Sequence, residues 1–410
     1  MKNYVIIGNG IAAAGCIEGI RSADKEGSIT VISEEKHPVY CRPLISYYLE
    51  DRTDLERINY RDPDFYERMG CKVLYGAKAV AIDAKKRRIE LEDGSKLPYD
   101  AACIATGSVP FLPKFEGLET VEKKFSFMTL DDALALEKAI DKTSRVLVIG
   151  AGMIGLKCAE GVKDRVNSVT VCDLADHLLP SVLDAECAGL LQKRMEENGI
   201  SFIMGDSVAE FKGTKAVLKS GGTLDFDVLV LAVGVRPNVS LAKEAGAKIG
   251  RGIVTDTRMQ TSLPGLYAAG DCVESFDAAT GKDKVLANLP NASMQGFAAG
   301  VSMAGGDVIY DKGIMMNSIG FYGMHAMTAG SYEGEVYEEK TEGSVKRLYY
   351  KDDVLKGFVL VGCCERAGIY TSMIRERTPL SSIDFDLMKK GATTAAFSKE
   401  VRRHKFGGAV

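Results

Sequence analysis

The chain carries one strand–turn–helix–strand pattern twice, and that repeat constrains its fold more than any other feature of its 410 residues. The first copy runs Val5-Ile6-Ile7-Gly8-Asn9-Gly10, then Ser28-Ile29-Thr30-Val31-Ile32-Ser33-Glu34. It closes with Leu97-Pro98-Tyr99-Asp100 and Cys103-Ile104-Ala105-Thr106-Gly107. The second runs Val146-Leu147-Val148-Ile149-Gly150-Ala151-Gly152, then Ser168-Val169-Thr170-Val171-Cys172-Asp173. It closes with Leu224-Asp225-Phe226-Asp227 and Leu231-Ala232-Val233-Gly234-Val235-Arg236-Pro237. Strands that are apolar along their whole length, alternating with helices, predict parallel sheets covered on both faces. Glycine-containing hairpins follow in each copy, at Glu92-Asp93-Gly94-Ser95 and Lys219-Ser220-Gly221-Gly222. The spacing between matched positions narrows from the glycine turns to Asp100 and Asp227, so the first copy holds about a dozen extra residues. They lie between Glu34 and Asp100, a stretch that includes Tyr40-Cys41-Arg42-Pro43-Leu44, and an element present in one copy only is a natural carrier of specific chemistry.

Each glycine turn suits a dinucleotide. In Gly150-Ala151-Gly152-Met153-Ile154-Gly155 the first glycine makes the tight turn, the second lets the backbone approach a pyrophosphate, and the third lets helix and strand pack closely. The helix that follows offers free N–H groups and the positive end of its dipole to the phosphates. Asp173 ends the next strand, close to the expected spacing of about twenty residues, where it can accept hydrogen bonds from a ribose 2′-hydroxyl and would repel a 2′-phosphate. Leu174 follows it, not an arginine, which favours NADH over NADPH; a capping or surface aspartate is the plainer alternative. Gly8-Asn9-Gly10-Ile11-Ala12-Ala13 is the same turn with Ala13 in third place, and its acid is Glu34 or Glu35. Two such turns mean two dinucleotides, or a duplicated scaffold with one silent copy.

Composition sets the remaining bounds. The net charge of -4 argues against a general nucleic-acid binder, and 46% hydrophobic residues suffice for a full core. The N-terminus begins as a strand, without a signal peptide's charged and apolar regions, and no apolar run is long enough to span a membrane. The ten cysteines include no Cys-x-x-Cys pair, so they are expected to be reduced in a cytoplasmic protein. His37, His177, His325 and His404 are isolated in sequence, and no metal site is expected.

The ordered set of the two glycine turns, Ala105-Thr106-Gly107, Val233-Gly234-Val235-Arg236-Pro237-Asn238 and Leu266-Tyr267-Ala268-Ala269-Gly270-Asp271 resembles the pyridine nucleotide–disulfide oxidoreductase superfamily. Within it the chain looks most like NADH:rubredoxin reductases and the flavin domains of NADH-dependent nitrite reductases. The resemblance implies an α/β fold with two Rossmann-like dinucleotide-binding domains, the FAD domain split by the NAD domain, plus a C-terminal α+β interface domain. The implied boundaries are 1–112 and 240–306 for FAD, 113–239 for NAD(P)H, and 307–410 for the interface domain. FAD would lie on Gly8, Gly10, Ala13 and Glu34, with Ala105, Thr106 and Gly107 passing beside it and Asp271 of the Gly270-Asp271 pair holding a ribityl hydroxyl. Asp271 could instead cap a helix. NAD(H) would lie on Gly150, Gly152, Ile154, Gly155 and Asp173, with Gly234 nearby.

The extra segment resembles the Tyr-x-Arg-Pro-x-Leu stretch of the rubredoxin-reductase group, whose arginine and proline lie against the flavin ring. Arg42 could then stabilise negative charge on reduced flavin, with Pro43 beside it, or be an ordinary surface arginine. Relatives that reduce disulfides carry a cysteine pair here. This chain has Cys41 alone, set two positions from where single-cysteine relatives place theirs; it is either a bystander or a redox thiol whose pKa Arg42 could lower. Lys157 stands where many relatives have glutamate, and could support anionic reduced flavin, pair with an acid, or have no catalytic part. Cys363 and Cys364, neighbours on an expected strand, would face opposite ways and pack rather than pair. The basic tail Lys399-Glu400-Val401-Arg402-Arg403-His404-Lys405 could greet an acidic carrier or merely be solvated.

These expectations converge on hydride transfer from NADH to FAD and then electron transfer to a small iron–sulfur carrier protein, rubredoxin or ferredoxin. Alternatives are an NADH oxidase, peroxidase or small-disulfide reductase using Cys41, and a flavin subunit of a larger electron-transfer complex; a homodimer is also open.

Overall fold

A computed structural model describes residues 1–405. The chain forms two compact units. The first comprises Met1–His177, Glu196–Ser275 and Asp283–Asp311, and the second Leu178–Met195, Phe276–Lys282 and the chain from Lys312 on.

The first unit contains the repeat as two parallel sheets. One is built on β1 (Asn3–Ile7), β2 (Ser28–Ser33), β3 (Cys71–Tyr75) and β4 (Ala101–Ile104). The other holds β5 (Lys124–Phe125), β6 (Arg145–Ile149), β7 (Ser168–Asp173), β8 (Ile200–Met204) and β9 (Val228–Leu231). The chain then returns to the first sheet with β10 (Leu266–Ala268), so the first dinucleotide-type domain is split by the second. The strand orders are β10-β4-β1-β2-β3 and β5-β9-β6-β7-β8, and every neighbouring pair is parallel. Matched strands therefore hold matched places. The expected continuous burial is present, for β4 and β9 are buried along their whole lengths. The glycine-containing hairpins each sit inside a three-stranded antiparallel sheet.

The repeat extends to a lock at the end of each copy. Asp100 accepts the Asn3 N–H at 2.7 Å, and Asp227 accepts the Arg145 N–H at 2.8 Å, so each copy's closing aspartate pins the first residue of its first strand. Helix α1 (Ile11–Ala23) follows the first glycine turn. The extra segment contributes α2 (Leu44–Leu49), which precedes α3 (Leu130–Ala139) and α4 (Met153–Lys163) in the chain; α4 follows the second turn. A ribbon, Ser108–Pro110 antiparallel to Val235–Pro237, joins the two halves just beyond β4 and β9. Helix α5 (Leu289–Ala304) packs along α1.

The second unit has an antiparallel sheet of β11 (Met316–Phe321), β12 (Met324–Gly330), β13 (Glu335–Lys340), β14 (Val345–Lys351) and β15 (Val354–Val361), in the order β11-β12-β15-β14-β13. The expected strand around Gly357 is β15, and the helix expected at Ala367 is α6 (Ala367–Arg375), whose Tyr370 packs on Phe358 at 5.8 Å between ring centroids. Arg347 of β14 binds the carboxylates of Asp184, Glu186 and Glu338, holding residues 178–195 within this unit. Cys363 and Cys364 do not lie on a strand as expected: β15 ends at Val361. Their thiols donate to different carbonyls, Val345 and His325, and both are free. The basic tail forms a helix over Lys399–Lys405; the side chains of His404 and Lys405 lie outside the described residues. No helix among the described residues is long and apolar enough to cross a membrane.

Candidate functional site

Each glycine turn is imposed by backbone crowding. Gly8 has φ +107°, and a Cβ there would lie 2.2 Å from the Ala105 carbonyl oxygen; Gly150 has φ +116°, and its Cβ would lie 2.3 Å from that of Ala232. The strand carrying Ala105-Thr106-Gly107 and the strand leading to Gly234 thus press against the two turns in the same way. Gly10 and Gly152 cap their helices with no side-chain bond, and neither helix has an acid in its first turn. Both helix starts therefore present unsatisfied N–H groups and a positive dipole end, the arrangement a diphosphate needs. At the third motif position the copies differ. Gly155 is required, since a Cβ would meet the Gly150 carbonyl at 2.0 Å, while Ala13 fits fully buried. Ile154 is half-buried on the first turn of α4.

The acids also diverge. Asp173 accepts from the Ala151 N–H at 2.6 Å with one carboxylate oxygen and from Ala175 N–H at 2.8 Å with the other. It is neither a helix cap nor a free surface acid: it braces the glycine turn itself. Leu174 beside it is 68% exposed, and no cation occupies that position. Of the two acids in the first copy, Glu34 is exposed and pairs with Lys78 at 3.2 Å, while Glu35 turns inward.

Glu35 organises the extra segment. It accepts from the Tyr40 hydroxyl at 2.6 Å and from Arg42, whose guanidinium also donates to the Met128 carbonyl at 2.8 Å. Tyr40 in turn accepts from the Leu130 N–H at 2.9 Å. Burial pushes the Tyr40 phenol above its ordinary range, with Glu35 adding to it. Burial works against the Arg42 charge, but Tyr40, Glu35 and Asp271 outweigh it and hold its pKa above the ordinary value. Burial raises the Asp271 carboxyl, against the pull of Arg42 and a hydrogen bond from Ser108. Arg42 and Asp271, separated by most of the chain, thus face one another electrostatically. Pro43 is exposed at the start of α2. No helix starts at Asp271, so the capping alternative fails; the chain turns there into the strand Val273–Asp277.

One support escaped the sequence reading. Gln295 of α5, buried, accepts from the Gly270 N–H at 2.8 Å and donates to the Ser275 hydroxyl at 2.9 Å, fixing the loop that carries Asp271. A lone glutamine on the buried face of an apolar helix was its only sequence signal. The main chain of Asn238, at the end of the Val233–Asn238 motif, accepts from the Thr106 hydroxyl at 2.8 Å and donates to the Gly107 carbonyl at 2.9 Å.

The thiol of Cys41 does not benefit from Arg42. Burial raises its pKa, and the guanidinium beside it is committed to Glu35 and Met128. Lys157, on α4, binds Glu160, lies 3.7 Å from Glu50 and sits 4.6 Å from the centre of the Tyr47 ring. It pairs with acids.

These residues fit a flavin at the first turn and a nicotinamide dinucleotide at the second: uncapped helix starts for two diphosphates, exposed Glu34 for one ribose, Asp173 for another, and the half-buried, opposite charges of Arg42 and Asp271, each felt by the other.

Residues 2–296 match a family model described as pyridine nucleotide-disulphide oxidoreductase. The chain is 33% identical over 395 residues, 93% of each chain, to the NADH-dependent phenylglyoxylate dehydrogenase subunit epsilon of Aromatoleum evansii. It is 36% identical over 314 residues to an NADH oxidase of Methanocaldococcus jannaschii, covering 73% of this chain and 70% of that one. Among solved structures it is similar to putidaredoxin reductase in its covalent complex with putidaredoxin, with a TM-score of 0.87, 25% identity and coverage of 96% and 97% of the two chains.

Proposed function

Since this chain belongs to the pyridine nucleotide-disulphide oxidoreductase family, we propose that it binds FAD on the first glycine turn and NADH on the second, and passes electrons to a small iron–sulfur carrier protein such as rubredoxin or ferredoxin. The observation that carries the reading is the pair of uncapped helix starts, each behind a glycine turn that nothing larger could make. When bound, the flavin supplies the hydride acceptor and the means to release electrons one at a time.

The chain's own work is positioning and field. Gly10 and Gly152 open the two helix ends to diphosphate. Asp173 accepts a ribose hydroxyl with the lone pairs that the turn leaves available and disfavours a 2′-phosphate. Gln295 sets the Gly270-Asp271 loop, and Asp271 takes a hydroxyl of the flavin's ribityl chain. Arg42, fixed by Glu35 and Met128, places positive charge where negative charge develops on reduction. On this reading residues 1–112 with 240–306 serve FAD, 113–239 serve NADH, and the C-terminal residues from 307 form an interface domain.

A carrier acceptor is supported by the lone Cys41, whose burial-raised pKa disfavours thiolate chemistry, and by the likeness to putidaredoxin reductase. A second reading, a flavin subunit of a larger electron-transfer complex, is favoured by the match over 93% of each chain to a relative named as a subunit. Anaerobic reduction of rubredoxin or ferredoxin by NADH and the FAD-loaded protein tests the first reading. Rapid carrier reduction supports it. Flavin bleaching with both carriers left oxidised defeats it and leaves the subunit reading. Cys41→Ser should leave turnover within about twofold; loss of turnover with flavin retained would restore a thiol mechanism.

A further inference from the structure

The two halves of the repeat meet along a seam between α2 and α4. At one point the helices nearly touch: a Cβ on Gly161 would lie 3.0 Å from the Ser46 carbonyl oxygen and 3.4 Å from Leu49 Cβ. One helical turn away, the seam is charged. Lys157 binds Glu160, whose side chain is 4% exposed, and approaches Glu50, whose side chain is 13% exposed. Glu50 has one oxygen bonded to Arg52 at 3.0 Å. Its other oxygen is buried, 3.7 Å from Lys157 Nζ, and makes no hydrogen bond. Glu50 and Glu160 thus both approach the Lys157 ammonium, and Arg52, which binds Glu50, lies at the rim, 60% exposed. Tyr47 touches both cations, with Lys157 at 4.6 Å and Arg52 at 4.4 Å from its ring centre.

A carboxylate oxygen sealed from water without a hydrogen bond is expensive, and the cheapest remedy is a proton. Both the burial of Glu50 and the nearby Glu160 raise its affinity for one; Arg52 and Lys157 oppose them. Nearby charges pair with one another. Arg165 binds Glu137 and Asp51, and Tyr48 donates to Glu137. Lys157 lies one turn beyond the N-terminal end of the helix that starts at the second glycine turn, so a docked diphosphate adds negative charge on the Lys157 side of the cluster.

We infer that Glu50, facing Lys157 and Glu160 across the α2–α4 seam, takes up a proton from solvent when a nicotinamide dinucleotide docks on the second glycine turn. Glu50 is then a positioning residue that keeps the seam's charge balanced as nucleotide binds. The inference rests on the nucleotide reading of Gly150–Gly155.

Calorimetric titration of the oxidised, flavin-loaded protein with NAD⁺, in buffers of different ionisation enthalpy and over pH 5 to 9, reads the proton directly. The expected result is net proton uptake and a Kd that rises with pH, with a limiting slope of about one decade per unit. Glu50→Gln should abolish the uptake and flatten the slope, and Glu50→Asp should retain both. Equal uptake in wild type and Glu50→Gln overturns the inference, as does NAD⁺ binding by wild type with no uptake. Melting curves separate the two layers of the argument. A carboxyl whose affinity for a proton rises on folding stabilises fully at low pH and loses that contribution as pH rises through its folded value. Glu50→Gln should therefore gain relative to wild type as pH increases, whether or not NAD⁺ binds. Parallel melting curves overturn the proton site itself; diverging curves with no NAD⁺ binding overturn the nucleotide reading and the link with it.

Discussion

The carboxylate of Asp173 lies 2.6 Å from the amide nitrogen of Ala151, inside the second glycine turn. The residue proposed to select the nucleotide therefore also shapes the glycine turn proposed to hold it. Asp173→Ala should raise the KM for NADH by at least about tenfold, the cost of losing one or two charge-assisted bonds plus the brace. Steady-state kinetics with either carrier or an artificial acceptor checks it. Asp173→Ser combined with Leu174→Arg keeps an acceptor for Ala151 and adds a cation at an exposed position; the NADPH-to-NADH ratio of kcat/KM should rise. An unchanged ratio would remove Asp173 from specificity.

Gly150→Ala forces a side chain into a backbone conformation that disfavours it and against the Ala232 carbonyl. Strain of about 1–3 kcal/mol from the conformation alone is expected, with the collision added. Nucleotide binding should be lost while the first turn still retains flavin, as read by flavin absorbance and NAD⁺ titration. Gly8→Ala should do the reverse and lose the flavin.

Arg42→Ala removes the cation that faces Asp271 and Glu35. The protein should bind flavin less tightly, and the flavin's midpoint potential should move negative because its reduced form loses a compensating charge. Arg42→Lys should recover part of the potential but not the paired bonds to Met128 and Glu35. A potential unmoved in both variants would make Arg42 purely structural.

Acid stability should depend on Asp227. Three bonds from the Arg145 side chain and backbone hold its carboxyl down at about 2, against a usual 3.8. A depressed carboxyl stabilises above its unfolded value and loses that contribution as pH falls toward its folded value. Asp227→Asn should lower the melting temperature at pH 7, and the gap from wild type should close between about pH 4 and pH 2. Both side chains are partly exposed, so salt should shrink the effect.

The repeat made most of the first unit legible. Gly8 and Gly150, Asp100 and Asp227 stand at matched places because each copy solves the same local problem of turning a buried strand into a helix without a side chain in the way. The acids at the strand ends were legible as acids, but not their partners. Whether Glu34 or Glu35 faces solvent depends on Tyr40 and Arg42 folding back onto Glu35, which no spacing encodes. Gln295 acts on a loop 25 residues away, and a single polar residue among apolar ones does not say what it binds; Asn238 acts through its main chain, which no side-chain signal announces. The grouping of residues 178–195 with the second unit was hidden for the same reason: it depends on Arg347, more than a hundred residues on, collecting three carboxylates. Cys363 and Cys364 were misplaced because the apolar run ends before them, at Val361, and a boundary of two residues decides whether side chains alternate.

The ribbon of Ser108–Pro110 against Val235–Pro237 has a consequence for how such a chain can change. The polypeptide leaves the first sheet and comes back to it through two strands lying side by side, so the covalent entry and exit of everything between them are neighbours. A segment with adjacent entry and exit can be lengthened, shortened or exchanged without rerouting its host. The second copy of the repeat is therefore a cassette: a lineage, or an engineer, can exchange it for another provided the replacement still matches the α2–α4 seam.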